Sequence, residues 1–204
     1  FFARILKKED IRVSNVVFMG MGEPFLNYDQ VIKAIKYLND SEGLEIGARH
    51  ISISTCGIID GIEKLSHEKL QVNLAISLHA PNDKLRSELM PINKAHPIKK
   101  LLMAVDKYIK KTGRRVMFEY LMIKGVNDSV DQAKELAQIM AKPLYLVNLI
   151  AYNPTEVFQA SDAKTINNFK NILSQAKVAV TQRYTFGQDI DAACGQLANK
   201  TQKK

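Results

Sequence analysis

The sequence predicts an α/β fold in which parallel strands alternate with helices. Two observations carry that prediction. Short apolar, β-branched runs recur from end to end, and amphipathic stretches of helical spacing lie between them. No Pro/Gly/Ser-rich linker and no internal repeat divides the 204 residues, which therefore read as one domain, 1–204. Such alternation places strands parallel with helices over one or both faces. The strands read as nearly continuous apolar runs, as expected when both faces are buried. Periodicity leaves an open doubly wound sheet and a barrel as alternatives.

Taken in order, the chain opens with a strand over Val16–Gly20 and a helix over Tyr28–Leu38, with Asn27 as its start signal. A strand over His50–Ser54 and a helix over Ile58–Ser66 follow. The third strand is expected at Gln71–His79. Next comes a helix over Ile98–Lys111, where Ile98, Leu101, Leu102, Val105, Tyr108 and Ile109 share one face. A strand over Val116–Met122 leads to a helix over Val130–Met140, started by Asn127 or Asp128. The last elements are a strand over Leu144–Ile150, a helix over Asp162–Ala176 and a strand over Val178–Arg183. The longest irregular stretch is Asn153–Ser161.

Composition narrows the function. At 46% hydrophobic and 25% charged residues the chain is neither disordered nor membrane-spanning, since no apolar run approaches the ~18 residues a span needs. Phe1-Phe2-Ala3-Arg4 begins no signal peptide, and two cysteines make no disulfide framework, so a cytoplasmic setting is expected. The first residue is not Met, which suggests a piece of a longer protein. Lys and Arg number 29 against 21 acids, for a net charge of +8. The excess concentrates between Lys94 and Arg115, where eight basic residues face one acid, Asp106. A solvated helix face and an electrostatic footprint for RNA both fit that stretch.

In parallel α/β sheets ligands gather at the carboxyl ends of the strands. The first strand ends in Gly20-Met21-Gly22-Glu23-Pro24, with backbone left bare for close approach. It is not a dinucleotide fingerprint, because the third glycine is missing and Pro24 stands where a helix would open. Ser54-Thr55-Cys56-Gly57 follows the second strand, Ser77-Leu78-His79-Ala80-Pro81 the third, and Tyr152-Asn153-Pro154 the fifth. Four short polar or glycine-rich strand ends together suggest a small polar molecule bound across the mouth of the sheet. His79 taken alone fits a structural role as well as a ligand contact.

Beyond the last strand lies Gly187-Gln188-Asp189-Ile190-Asp191-Ala192-Ala193-Cys194-Gly195-Gln196-Leu197. Cys194 reads either as a buried inert thiol or as a nucleophile. Asp189 and Asp191 would raise its pKa, so a reactive Cys194 needs a cationic reaction partner. The four histidines and two cysteines lack zinc-ligand spacing, and neither a P-loop nor a nucleophile elbow is present.

In this order, GMGEP, Ser-Thr-x-Gly, SLHAPND, PINK, NLIxxNP and GxDIDAACGQL closely resemble the adenine-C2 RNA methyltransferases of the radical S-adenosylmethionine superfamily, the RlmN/Cfr group. The resemblance runs from Ser14 to Leu197, and SLHAPND with DIDAACGQL is its most specific part. It implies a partial (βα)6 barrel that lacks the first strand and the N-terminal accessory domain, with a methyl-carrier segment at 184–197. It also implies that S-adenosylmethionine is held by Gly22, Glu23, Ser54, Ser77, Leu78, His79 and Asn153. In that family one S-adenosylmethionine methylates a cysteine, here matched by Cys194, and its sulfonium is the cationic partner. A second, cleaved by a reduced 4Fe–4S cluster, gives the radical that activates this methyl group for addition to adenine C2. The implied substrates are 23S ribosomal RNA and transfer RNA, and the implied electron donor is a flavodoxin-type protein.

The cluster's CxxxCxxC loop is absent, because Cys56 and Cys194 are the only cysteines and a 4Fe–4S cluster needs three or four sulfur ligands. No metal ligand is therefore assigned within the chain. Cys56 is assigned no role, and its thiol is expected to be packed rather than catalytic. The chain alone is expected to be inactive, and its first strand to present an unpaired edge that favours self-association. A non-catalytic RNA-binding module of the same fold is the alternative, and an unrelated α/β metabolic enzyme whose strand-end loops bind a nucleotide is a third reading.

Overall fold

Six strands run parallel in one sheet, each hydrogen-bonded to the next in chain order. They are β1 (Val16–Phe18), β2 (Ile51–Thr55), β3 (Asn73–Ser77), β4 (Val116–Met122), β5 (Tyr145–Ala151) and β6 (Val180–Arg183). The helices are α1 (Tyr28–Asn39), α2 (Ile59–Leu65), α3 (Asp83–Leu89), α4 (Ile98–Thr112), α5 (Val130–Met140) and α6 (Ala163–Gln175). This computed structural model describes residue 9 and residues 13–20, 22–153 and 157–183. Among them no helix is long and apolar enough to cross a membrane.

The sheet is curved. Were it flat, β1 and β6 would stand roughly 24 Å apart, five spacings of ~4.8 Å. Yet Arg183 at the end of β6 donates to the sulfur of Met19, just past β1, at 3.6 Å. That cross-sheet approach is the geometry of a partial barrel.

Alternation along the strands decides what the two faces do. Ile51 and Ile53, Leu74 and Ile76, Val116, Phe118 and Tyr120, and Tyr145, Val147 and Leu149 are buried on the outer face. They share one core with Ile32 and Ile35 of α1, Leu101 and Val105 of α4, Leu136 of α5 and Phe169 of α6. The inner face carries Ser52, Ser54, Asn73, Ser77, Glu119, Asn148 and Thr181, interspersed with Val17, Ala75, Met117, Leu121, Leu146 and Ile150. The expectation of strands apolar on both sides holds only in part, because polar residues alternate with apolar ones on the inner face. Helices cover one face, and the other keeps polar side chains for a ligand.

Several boundaries differ from the sequence expectation for local reasons. The third strand stops at Ser77 because the N–H groups of Leu78 and His79 both turn to one carbonyl, that of Glu119 (3.0 and 3.3 Å). Neither Asn127 nor Asp128 starts α5. Ser129 caps it, its hydroxyl accepting from Gln132 N while the Gln132 side chain accepts from Ser129 N, a reciprocal box. Asn27 does not cap α1 with its side chain. A 3-10 turn over Pro24–Asn27 leads into that helix instead, capped by Glu23. Pro24 therefore opens a helical turn, where its missing N–H costs nothing. Helix α3 was not foreseen, since Asp-Lys-Leu-Arg-Ser-Glu-Leu has no apolar stripe.

Candidate functional site

The carboxyl ends of β1 to β5 form the candidate site, and a chain of hydrogen bonds stitches them together. At the first, Gly22 adopts φ +95° with open space where a Cβ would stand. Glu23 then clamps two strand ends: its Oε1 accepts from Phe25 N at 3.0 Å and its Oε2 from Cys56 N at 2.7 Å. Phe25 packs against Gly61 of α2 so closely that any Cβ there would collide with its ring. The Glu23–Phe25 end of the first loop is thereby fixed to the second strand end and to α2.

At the second strand end Ser54 lies half-buried on the inner face. Buried Thr55 forms the turn, its hydroxyl accepting from Gly57 N (3.1 Å) and Ile58 N (3.3 Å). Cys56 packs against the core as expected, and burial, followed by the neighbouring Glu23 carboxylate, pushes its thiol up to about 12. Such a thiol is not a nucleophile near neutral pH.

The third strand end holds Ser77, Leu78 and His79. Leu78 has its side chain fully buried, its N–H on Glu119 O, and its carbonyl on Arg86 Nε at 3.2 Å. His79 sits at φ +57°, a left-handed conformation in which a side chain is uncommon. Its carbonyl accepts from Asn127 Nδ2 at 2.8 Å, and its Nδ1 accepts from Leu121 N at 3.1 Å. That acceptor role places the ring proton on Nε2. Desolvation, and then the charge of Arg86, lower the imidazole to about 4, so the ring is neutral at pH 7.

Beneath these loops lies Arg86, which sequence reasoning missed. It is fully buried, and each of its five N–H donors meets an oxygen. Nε reaches Leu78 O; Nη1 reaches Asn93 Oδ1 (2.9 Å) and His96 O (3.2 Å); Nη2 reaches Cys56 O (2.8 Å) and Ser77 O (3.1 Å). One guanidinium thus locks the ends of β2 and β3 to the loop before α4. The Asn-Asp of SLHAPND and the Asn of PINK serve the same lock. Asn82 caps α3 through Leu85 N (3.0 Å), Asp83 accepts from Ile98 N (2.8 Å), and Asn93 also donates to Asp83 (3.0 Å).

A polar row crosses the floor of the concave face, since Ser77, Glu119, Asn148 and Thr181 are register partners on β3 to β6. Glu119 accepts from Asn148 Nδ2 at 2.7 Å, and Asn148 Oδ1 accepts from Thr181 at 3.0 Å. Burial raises the pKa of Glu119, opposed by the Asn148 hydrogen bond and the charge of Arg183. Sequence reading passed over this row because each member is one polar residue inside an apolar run. Asn153 is buried two residues beyond β5. Pro154, Cys194 and the segment 184–197 lie outside the described residues.

These residues fit a small zwitterionic nucleoside in two respects. The backbone is open at Gly20 and Gly22, and the inner face offers Ser54, Ser77 and Glu119 as polar partners. They do not fit an iron–sulfur cluster. No group of three or more His, Cys, Asp or Glu side chains suited to a metal occurs among the described residues, and the chain has two cysteines in all. Residues 2–137 match the model of the Radical SAM superfamily. This chain belongs to that superfamily.

Radical SAM proteins use S-adenosylmethionine and a 4Fe–4S cluster, and the cluster's ligands are not in this chain. Its relatives include proteins named probable dual-specificity RNA methyltransferase RlmN. The one from Natranaerobius thermophilus is 50% identical over 94% of this chain and 56% of its own length. The one from Dictyoglomus thermophilum is 53% identical over 91% of this chain and 54% of its own length. The chain therefore spans about half the length of the curated relatives it matches. A radical SAM methyltransferase from Sphaerobacter thermophilus has the same fold, with TM-score 0.91 and 46% identity over 95% of this chain and 57% of its own. Streptococcus suis SuiB bound to S-adenosylmethionine shares the fold alone, at TM-score 0.63 and 15% identity over 95% of this chain and 48% of its own.

Proposed function

We propose that this radical SAM chain is the core of an RNA methyltransferase. It would pass a methyl-derived carbon from S-adenosylmethionine to C2 of adenine in 23S ribosomal RNA and in transfer RNA. The observation that carries this reading is half-identity along nearly the whole chain to proteins named as RlmN-type RNA methyltransferases. The mouth supports it with a polar, glycine-lined cradle in the position where parallel sheets bind ligands.

In this reading Gly22, Glu23, Ser54, Ser77, Leu78, His79 and Asn153 hold S-adenosylmethionine in different ways. Gly22 offers bare backbone. Glu23 keeps the first two strand ends in register through its two accepted N–H bonds. Ser54 and Ser77 present hydroxyls from the inner face, and His79 presents its Nε2–H as a neutral donor. Leu78 has both backbone groups engaged, so it acts by fixing its two neighbours. Cys194, within the carrier segment 184–197, accepts the methyl group and hands it on.

The cluster, where bound, supplies the electron that cleaves S-adenosylmethionine, and its ligands must come from outside this chain. By itself the chain is therefore inactive, and a flavodoxin-type reductant serves the intact cytoplasmic protein. Self-association through β1 belongs to the same reading, because β1 pairs only with β2 among the described residues. Light scattering that finds the isolated chain monomeric at high concentration refutes it. The main test expresses the intact protein in a bacterium stripped of its own adenine-C2 methyltransferase. Restoration of 2-methyladenosine in digested ribosomal and transfer RNA is expected. Its absence, with a protein that still binds S-adenosylmethionine and cluster, overturns the proposal in favour of a non-catalytic RNA-binding module.

A further inference from the structure

Helix α4 carries lysines that no acid among the described residues pairs with. Lys99, Lys100, Lys107, Lys110 and Lys111 are all exposed. The ion pairs among the described residues are Lys36–Glu68, Lys134–Asp131 and Lys142–Asp106, and none involves these five. Asp106, the helix's one acid, is engaged by Lys142 at 2.8 Å and by the Tyr145 hydroxyl at 2.7 Å. Burial of Ile98, Leu101, Leu102, Val105 and Tyr108 fixes the rotation of α4, so the lysines cannot turn inward.

Three of them form a stripe. Lys100, Lys107 and Lys111 line a groove of about 320 Å³ against α2, whose wall includes His67 and a single acid, Glu63. Lys111 Nζ lies 2.6 Å from His67 Nδ1, and a contact to a ring nitrogen brings no carboxylate to its charge. At ~1.5 Å of rise per residue, Lys100 to Lys111 spans roughly 16 Å, enough to meet several phosphates. The stripe also begins beside the mouth. The N–H of Ile98, the first residue of α4, is held by Asp83, four residues after His79. From there the helix descends the outer wall.

We propose that this stripe binds the phosphate backbone of the RNA substrate away from the modified nucleotide, holding the body of the RNA while the target adenine enters the mouth. The inference rests on the RNA-methyltransferase reading above and adds a second contact to it. Charge complementarity names the partner: lysines with no acid partner among the described residues suit a polyanion. A membrane surface fits less well, since the helix's apolar face is buried and Met103, 54% exposed, is its one large exposed apolar side chain.

The test replaces Lys100, Lys107 and Lys111 with Gln in the intact protein, beside a control with Arg at the same three positions. Losing three phosphate contacts should weaken binding of a transfer RNA transcript about 10- to 100-fold near physiological salt and lower the log–log salt slope by about 2 to 3. Affinity for S-adenosylmethionine, methylation of Cys194 in RNA-free protein and the melting temperature should stay as in the parent, and the Arg control should keep RNA affinity. Unchanged RNA affinity and slope in the Gln variant overturn the inference. So does a loss confined to phosphatidylserine vesicles, which would assign the stripe to a membrane. A parent protein that binds RNA through the stripe but leaves no 2-methyladenosine contradicts the methyltransferase reading alone.

Discussion

Replacing Arg86 with Leu should be the most damaging single change outside the ligand contacts. The substitution removes five donors at once and strands the carbonyls of Cys56, Ser77, Leu78 and His96 with the Asn93 amide oxygen. Five hydrogen bonds from a charged donor, at ~1.5–3 kcal/mol net each, sum to ~8–15 kcal/mol. Those values already include desolvation and neighbouring bonds do not add in full, so a loss of at least ~3–5 kcal/mol, the scale of removing one partner of a buried charged group, is expected. That is a large share of the ~5–15 kcal/mol that holds a typical domain folded. Arg86→Lys should recover part of this, because an ammonium has three donors and leaves two acceptors unmet where Leu leaves five. Urea unfolding followed by circular dichroism gives the stability change. Isothermal titration with S-adenosylmethionine tests whether the ends of β2 and β3 have lost their geometry. A Leu variant within ~1 kcal/mol of the parent, with unchanged ligand affinity, would refute the argument, since that is the scale of an average point substitution.

Two further outcomes follow from the titrating groups at the mouth. His79 is neutral when folded, with its pKa lowered from 6.5 to about 4, whereas the unfolded chain takes up a proton near 6.5. Its contribution is present above pH 6.5 and lost as pH falls toward 4, to the extent of roughly 3 kcal/mol. Unfolding measured across that range should show a steeper decline for the parent than for His79→Asn, where Asn tolerates the left-handed backbone; parallel curves would contradict it. With its pKa raised from 9.0 to about 12, Cys56 should be alkylated by iodoacetamide at pH 8 about a thousand-fold more slowly than an ordinary thiol, because only the thiolate reacts. Peptide mass spectrometry over a time course reads this rate, and rapid labelling of the folded protein would exclude the packing described.

What the sequence made legible followed the strength of the local signal. The strand Val116–Met122 and the helix Val130–Met140 have the boundaries that the apolar periods imply. The strand-end loops are indeed gathered at one end of a parallel sheet. The polar inner face was hidden because Ser54, Ser77, Glu119 and Asn148 interrupt apolar runs singly, and period-2 alternation dissolves among Val, Leu and Ile. Arg86 escaped because an arginine on a seven-residue polar helix reads as solvated surface. Only tertiary structure shows that the carbonyls left free at two strand ends converge on it. The Glu23 clamp was equally invisible, since its second partner, Cys56 N, is 33 residues away. The basic stretch of Lys94 to Arg115 was legible as charge, but the absence of acid partners on α4 was not.

The central claim concerns the sulfur of Cys194. Intact protein purified from cells grown with S-adenosylmethionine available should yield, on proteolysis and mass spectrometry, the peptide containing Cys194 bearing one additional methyl group, and the Cys194→Ala variant should leave RNA without 2-methyladenosine. An unmethylated Cys194 peptide from protein that modifies RNA, or 2-methyladenosine formed by the alanine variant, would contradict the account.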